Sequence, residues 1–144
     1  MSSIFLKALC GRISPTTDQK DVSKYSNVTI KWSLLPLHQE KADWLTLYYQ
    51  SDENLIIRPI WDDINGITKF GRQKFNDTLS VQVIQTTQVI LNLQKVEESM
   101  TIYLTVVFIN NKGEIQGGPL YSKTKIMVFG KILTFNPKNT FCPR

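Results

Sequence analysis

Cysteine and histidine are scarce in this chain, and no long apolar run interrupts it. The 144 residues hold two cysteines, Cys10 and Cys142, one near each end. That spacing fits no zinc or redox motif. The single histidine, His38, stands in a proline-flanked loop with no serine or cysteine motif beside it. It reads as a solvated loop residue, not as a base or a ligand. No stretch reaches the roughly 20 apolar residues that cross a bilayer as a helix. The G-x-S-x-G, H-E-x-x-H, P-loop and Rossmann fingerprints are absent. The sequence therefore predicts no enzyme, no cofactor and no metal, and no membrane insertion by this segment.

Charge of one sign is not concentrated either. Lysine and arginine number 17 against 12 acidic residues, a net charge of +5, but they are scattered. Without a dense basic cluster there is no nucleic-acid footprint. A mildly basic surface suits an acidic partner or an anionic membrane surface. The best carboxylate cluster, Asp62-Asp63 with Asn65, lacks the register of a calcium loop. It reads as a polar turn around Asn65-Gly66. Glu97-Glu98 reads as a solvated corner.

What is present is globular: 42% apolar and 20% charged residues. A chain of this length is one domain and buries roughly 70% of its extended surface. The start, MSSIFLKALCGR, makes a poor leader because Lys7 interrupts a short apolar run. We expect residues 1–12 to be a tail or leader remnant, 13–130 the folded domain, and 131–144 a tail or a link to a further domain.

Helical signals are nearly absent; only Thr16–Val22 offers a helix start, with poor apolar spacing. Strand signals dominate. Asn27–Leu35 alternates, with Val28, Ile30, Trp32 and Leu34 on one side. Trp44–Gln50 follows a polar loop at Pro36–Asp43. Asn54–Ile60 is a third apolar run. Thr78–Ile84 alternates with Leu79, Val81 and Val83 inward, and Val89–Leu93 alternates again. In LQKVEESMTIYLTVVF, Ile102, Leu104, Val106 and Phe108 share one side. Asn110-Asn111-Lys112-Gly113 is a hairpin turn, and Leu120–Phe129 closes the array. Seven to nine short strands with one apolar face predict an all-β, two-sheet antiparallel sandwich. A closed barrel is the other all-β solution, but the loop at Pro36–Asp43 breaks its even strand spacing.

From Ile13 to Phe129 the chain resembles a V-type immunoglobulin-superfamily domain. NVTIKW resembles that family's strand B, with Trp32 where the family has cysteine. WLTLYYQ resembles strand C, with Leu47 in the tryptophan position. FGRQKFNDTLSVQV resembles the entry into strand D, and TQVILNLQKVEES resembles strand E and the corner before strand F. In strand F, Leu104 takes the second cysteine position and Ile102 that of the corner tyrosine. The F-G-x-G signature of the family's strand G is missing, and only Gly117-Gly118 stands nearby. The pin of the core becomes hydrophobic where the family's is covalent. In this style of pattern the chain is similar to allorecognition and adhesion receptors of colonial cnidarians.

The resemblance makes strands C, F and G neighbours in one sheet. With Leu45, Leu47 and Tyr49 inward, that sheet's outer face carries Trp44, Thr46 and Tyr48 from strand C. Strand F adds Tyr103, Thr105 and Val107, and strand G adds Tyr121, Lys123, Lys125 and Met127. Exposed aromatics in such number mark an interface. We expect Trp44, Tyr48, Tyr103, Thr105, Tyr121, Lys123, Lys125 and Met127 to meet a protein partner, the chain's own copy among the candidates. The resemblance implies the ectodomain of a cell-surface protein, in the extracellular space. The alternative is a non-catalytic carbohydrate-binding sandwich that uses the same aromatics as sugar platforms. Two sequons, at Asn27 and Asn76, suit a secreted glycoprotein. Cys10 and Cys142 are either two free thiols or a clasp between the termini.

Overall fold

The computed structural model describes residues 11–53, 55–64, 67–70, 78–84 and 87–130. Cys10, Cys142, Asn76, the Asn65-Gly66 dipeptide and the segments 1–10 and 131–144 lie outside the described residues. Among the described residues the strands are β1 (Arg12–Ser14), β2 (Thr17–Ser23), β3 (Ser26–Leu35), β4 (Lys41–Ser51), β5 (Arg58–Ile64), β6 (Ile67–Phe70), β7 (Leu79–Ile84), β8 (Gln88–Val96), β9 (Met100–Ile109) and β10 (Ile115–Phe129). They form two sheets, β1-β3-β8-β7 and β2-β10-β9-β4-β5-β6. All pairings are antiparallel except that of β2 with β10. The chain is an all-β sandwich, and the two sheets remain separate where a barrel would close.

The core follows from the alternation. In β3, Val28, Ile30, Trp32 and Leu34 are buried and every residue between them is exposed. The strand side-chain period of two allows only one face of each strand to enter the core. Trp32, Leu47 and Leu104 are fully buried in one cluster, and Leu47 stands directly opposite Leu104. Ile102, Val106 and Phe108 join them from β9. Trp32 also resolves its polar end. Its indole N–H donates to the Ser122 hydroxyl at 3.0 Å, and that hydroxyl donates to the Pro15 carbonyl at 2.6 Å.

Four local expectations change. Thr16–Val22 begins no helix: Thr17–Ser23 is a strand lying parallel to β10, Lys123 opposite Thr17 and Phe129 opposite Ser23. Backbone pairing with β10 outweighs a weak local signal there. The run at Asn54–Ile60 is not one strand. Leu55, Ile56 and Ile57 precede β5 and are exposed, while Ile60 and Trp61 are both buried. A register shift between Leu47 and Tyr48 puts these two consecutive residues inside. Among the described residues β6 pairs with Trp61–Ile64 and leaves Pro59 outside that ladder, a place that suits a residue without an N–H. The polar loop ends at Glu40, since β4 starts at Lys41 and buries Ala42. Finally, β10 begins at Ile115, with an irregularity between Gln116 and Leu120. The expected turn at Asn110–Gly113 is present: Gly113 takes φ +82°, and its N–H donates to the Asn110 carbonyl.

Candidate recognition face

Registers fix which residues share the outer face of the six-stranded sheet. One cross-strand row is Asp62, Thr46, Thr105 and Tyr121. The next is Pro59, Tyr48, Tyr103, Lys123 and Thr17. A third brings Gln50, Thr101, Lys125 and Gln19 into line. Trp44 stands opposite Val107. Trp44, Tyr48, Tyr103, Thr105, Tyr121, Lys123, Lys125 and Met127 are thus brought onto one face, with Leu45, Leu47 and Tyr49 buried beneath it.

The face is unevenly open. Tyr121 is 67% exposed and Trp44 45%. Tyr48, Tyr103, Thr105 and Met127 are half-buried. Val107 has the outward position but is only 6% exposed, beside the Trp44 indole in the register. Tyr103 is held on two sides. Its hydroxyl donates to Gln50 Oε1 at 3.0 Å, and its ring meets that of Tyr121 at 6.5 Å between centroids, tilted by 57°. Tilted aromatic pairs at that distance are favourable. Lys123 is exposed, whereas Lys125 is paired within the chain to the Asp52 carboxylate. Below the aromatics, Gln50, Asp52, Leu55, Thr101, Lys123 and Lys125 edge a cleft of about 660 Å³.

The outer face of the other sheet is chemically different. It presents Thr29, Lys31, Ser33 and Leu35 from β3, Ser80, Gln82 and Ile84 from β7, and Ile90 and Asn92 from β8, with no aromatic ring among them. The Thr29 hydroxyl donates to Asn92 Oδ1 at 2.7 Å. Asn27 is exposed at the start of β3, and its Oδ1 accepts from the Lys95 N–H at 3.1 Å.

In shape the chain is similar to murine CRIg, an immunoglobulin-superfamily V-type domain. The TM-score is 0.67 at 11% identity, covering 83% of this chain and 98% of that one. The fold is therefore an immunoglobulin-like, V-set-like sandwich. No family model matches the chain, and no curated protein matches its sequence. Solved chains that match in shape number 1902, so the sandwich alone singles out no function.

Two groups carry more than their sequence setting suggests. Glu98 is not part of a fully solvated corner: its carboxylate accepts from the Tyr49 hydroxyl and the Ser51 hydroxyl, both at 3.2 Å. It ties the β8–β9 turn to the end of β4. Glu97 beside it is exposed, as expected. Trp61, which no motif singles out, is a buried core residue. Asp62 and Asp63 lie on β5 opposite Lys69 and Thr68, and among the described residues no group of three acidic, histidine or cysteine side chains gathers as a metal site. His38 is exposed. Among the described residues no helix is long and apolar enough to cross a membrane.

Proposed function

We propose that this domain is an extracellular recognition module of a cell-surface protein, binding a protein partner through the outer face of β4, β9 and β10. One observation carries the reading: Trp44, Tyr48, Tyr103 and Tyr121 stand on that face, while the described strands of the opposite sheet turn no aromatic ring outward. Tyrosine and tryptophan are enriched at the energetic centres of interfaces, because each supplies a large contact area with few rotors to freeze. The partner of the allorecognition-like version is a second copy on a facing cell. Pairwise affinity is then weak, and many copies on apposed membranes supply the strength. Asn27 and Asn76 carry glycans in this reading, and chemistry is left to other proteins.

The test is aggregation of beads or cells displaying the domain. Wild type clusters, and Tyr48→Ala combined with Tyr121→Ala abolishes clustering at unchanged expression. Clustering or partner capture that survives this change rejects the face. A carbohydrate-binding reading rests on the polar cleft below the aromatics, with Gln50 and Lys123 at its edge. A glycan that binds wild type and is released by Gln50→Ala would favour it.

A further inference from the structure

The turn from β4 to β5 holds Leu55, Ile56 and Ile57, exposed by 72, 59 and 50%. Three consecutive exposed aliphatic side chains form a compact apolar projection of the kind that marks a contact site. Its start is held in place, since the Gln50 side chain donates to the Leu55 carbonyl at 2.7 Å. A different part of the surface offers an apolar groove of about 820 Å³, between β1, the β1–β2 bend and β10. Its walls include Pro15, Leu35, Pro119, Leu120 and Tyr121, with the exposed Arg12 at its edge. The groove lies near the pairs Arg12 with Leu35 and Leu120 with Val106. The turn instead follows Ser51, which pairs with Met100 at the other end of β9.

We infer that the β4–β5 turn of one copy seats in this groove of a second copy, so that domains add head to tail. The chemistry matches in two respects. Aliphatic side chains meet proline and leucine walls, and the exposed Glu53 beside the projection is brought to the exposed Arg12 beside the groove. The two surfaces differ, so the contact is heterologous. It leaves an unfilled turn at one end and an unfilled groove at the other, and copies continue to add unless the rotation closes a ring. Neither Trp44 nor Tyr48 takes part, whereas Tyr121 borders both surfaces, so the two contacts are told apart by variants that leave Tyr121 in place. Copies held on one membrane gain effective concentration for it.

Sedimentation velocity over a range of concentrations, on the full chain carrying Trp44→Ala and Tyr48→Ala to disable the recognition face while keeping Tyr121 in the groove wall, tests the inference. The parent grows to larger species as concentration rises. Leu55→Asp with Ile57→Asp removes the projection, and Leu35→Asp with Pro119→Asp spoils the groove. These residues are exposed, so both variants keep the parent melting temperature. If either melts early, serine replaces aspartate at the same positions. Each variant alone is monomeric, and an equimolar mixture forms a dimer and nothing larger, because each supplies the surface that the other lacks. A parent that stays monomeric throughout, a variant that assembles alone like the parent, or a mixture that stays monomeric overturns it.

Discussion

The Trp32 indole donates to the Ser122 hydroxyl across the sandwich, linking β3 of one sheet to β10 of the other at 3.0 Å. No cysteine occurs between residues 11 and 141, so this part of the core is pinned by packing and a hydrogen bond. Trp32→Ala is expected to lose about 3–5 kcal/mol in urea unfolding, as a large-to-small change at a fully buried site. Ser122→Ala leaves the indole N–H unpaired and is expected to lose about 1–3 kcal/mol. A double-mutant cycle with Trp32→Phe isolates the bond, because phenylalanine keeps most of the packing and has no N–H. Additive losses would show that the two side chains are not coupled.

Glu98 should matter as a strut. Its carboxylate accepts from Tyr49 and Ser51, and bonds to a charged group contribute about 1.5–3 kcal/mol. Glu98→Ala is expected to destabilise the domain by that amount, and Tyr49→Phe by less because Ser51 still binds. Glu97→Ala, on an exposed neighbour, is expected to change stability by under about 0.5 kcal/mol. Equal losses for Glu97→Ala and Glu98→Ala would remove the strut from the account.

Strands with one wholly buried side were legible from sequence. Val28, Ile30, Trp32 and Leu34 could be assigned inward because a one-residue slip would expose all four. The same parity put Trp44, Tyr48, Tyr103 and Tyr121 outward together. Strand β2 was not legible: Thr17–Ser23 has little apolar alternation and owes its form to backbone pairing with β10. The inward turn of both Ile60 and Trp61 depends on a register shift that leaves no mark in the sequence. Contacts between distant residues were equally invisible. Lys125 meets Asp52, 73 positions away, and Tyr49 meets Glu98, 49 away.

The two lysines of the face should therefore behave differently. Lys123 is exposed, whereas Lys125 is engaged with Asp52. A surface pair of this kind contributes about 0–1 kcal/mol, so Lys125→Ala should alter stability only slightly. Lys123→Glu should slow association with an acidic partner and reduce its salt dependence, with a smaller effect on dissociation. Surface plasmon resonance at two ionic strengths separates these effects. A larger change in association rate from Lys125→Ala than from Lys123→Glu would reverse the assignment.

The sidedness of the sandwich gives the most direct test of where binding occurs. Asn27 lies on β3, whose outward residues belong to the opposite sheet, so a glycan there leaves the aromatic face open. Asn27→Gln is therefore expected to leave binding unchanged. On the other sheet, Trp44→Asn creates an Asn-Leu-Thr sequon with Leu45 and Thr46. Trp44 is 45% exposed, which gives an attached glycan a way out to solvent. Glycosylated Trp44→Asn protein should lose all binding, since the sugar stands over the aromatic cluster and holds a partner off. Trp44→Ala, which removes the ring without adding bulk, should weaken binding while leaving some of it. Mass spectrometry confirms occupancy, and a preserved melting temperature separates obstruction from unfolding. A fully glycosylated Trp44→Asn domain that binds like wild type would move the recognition site off this sheet.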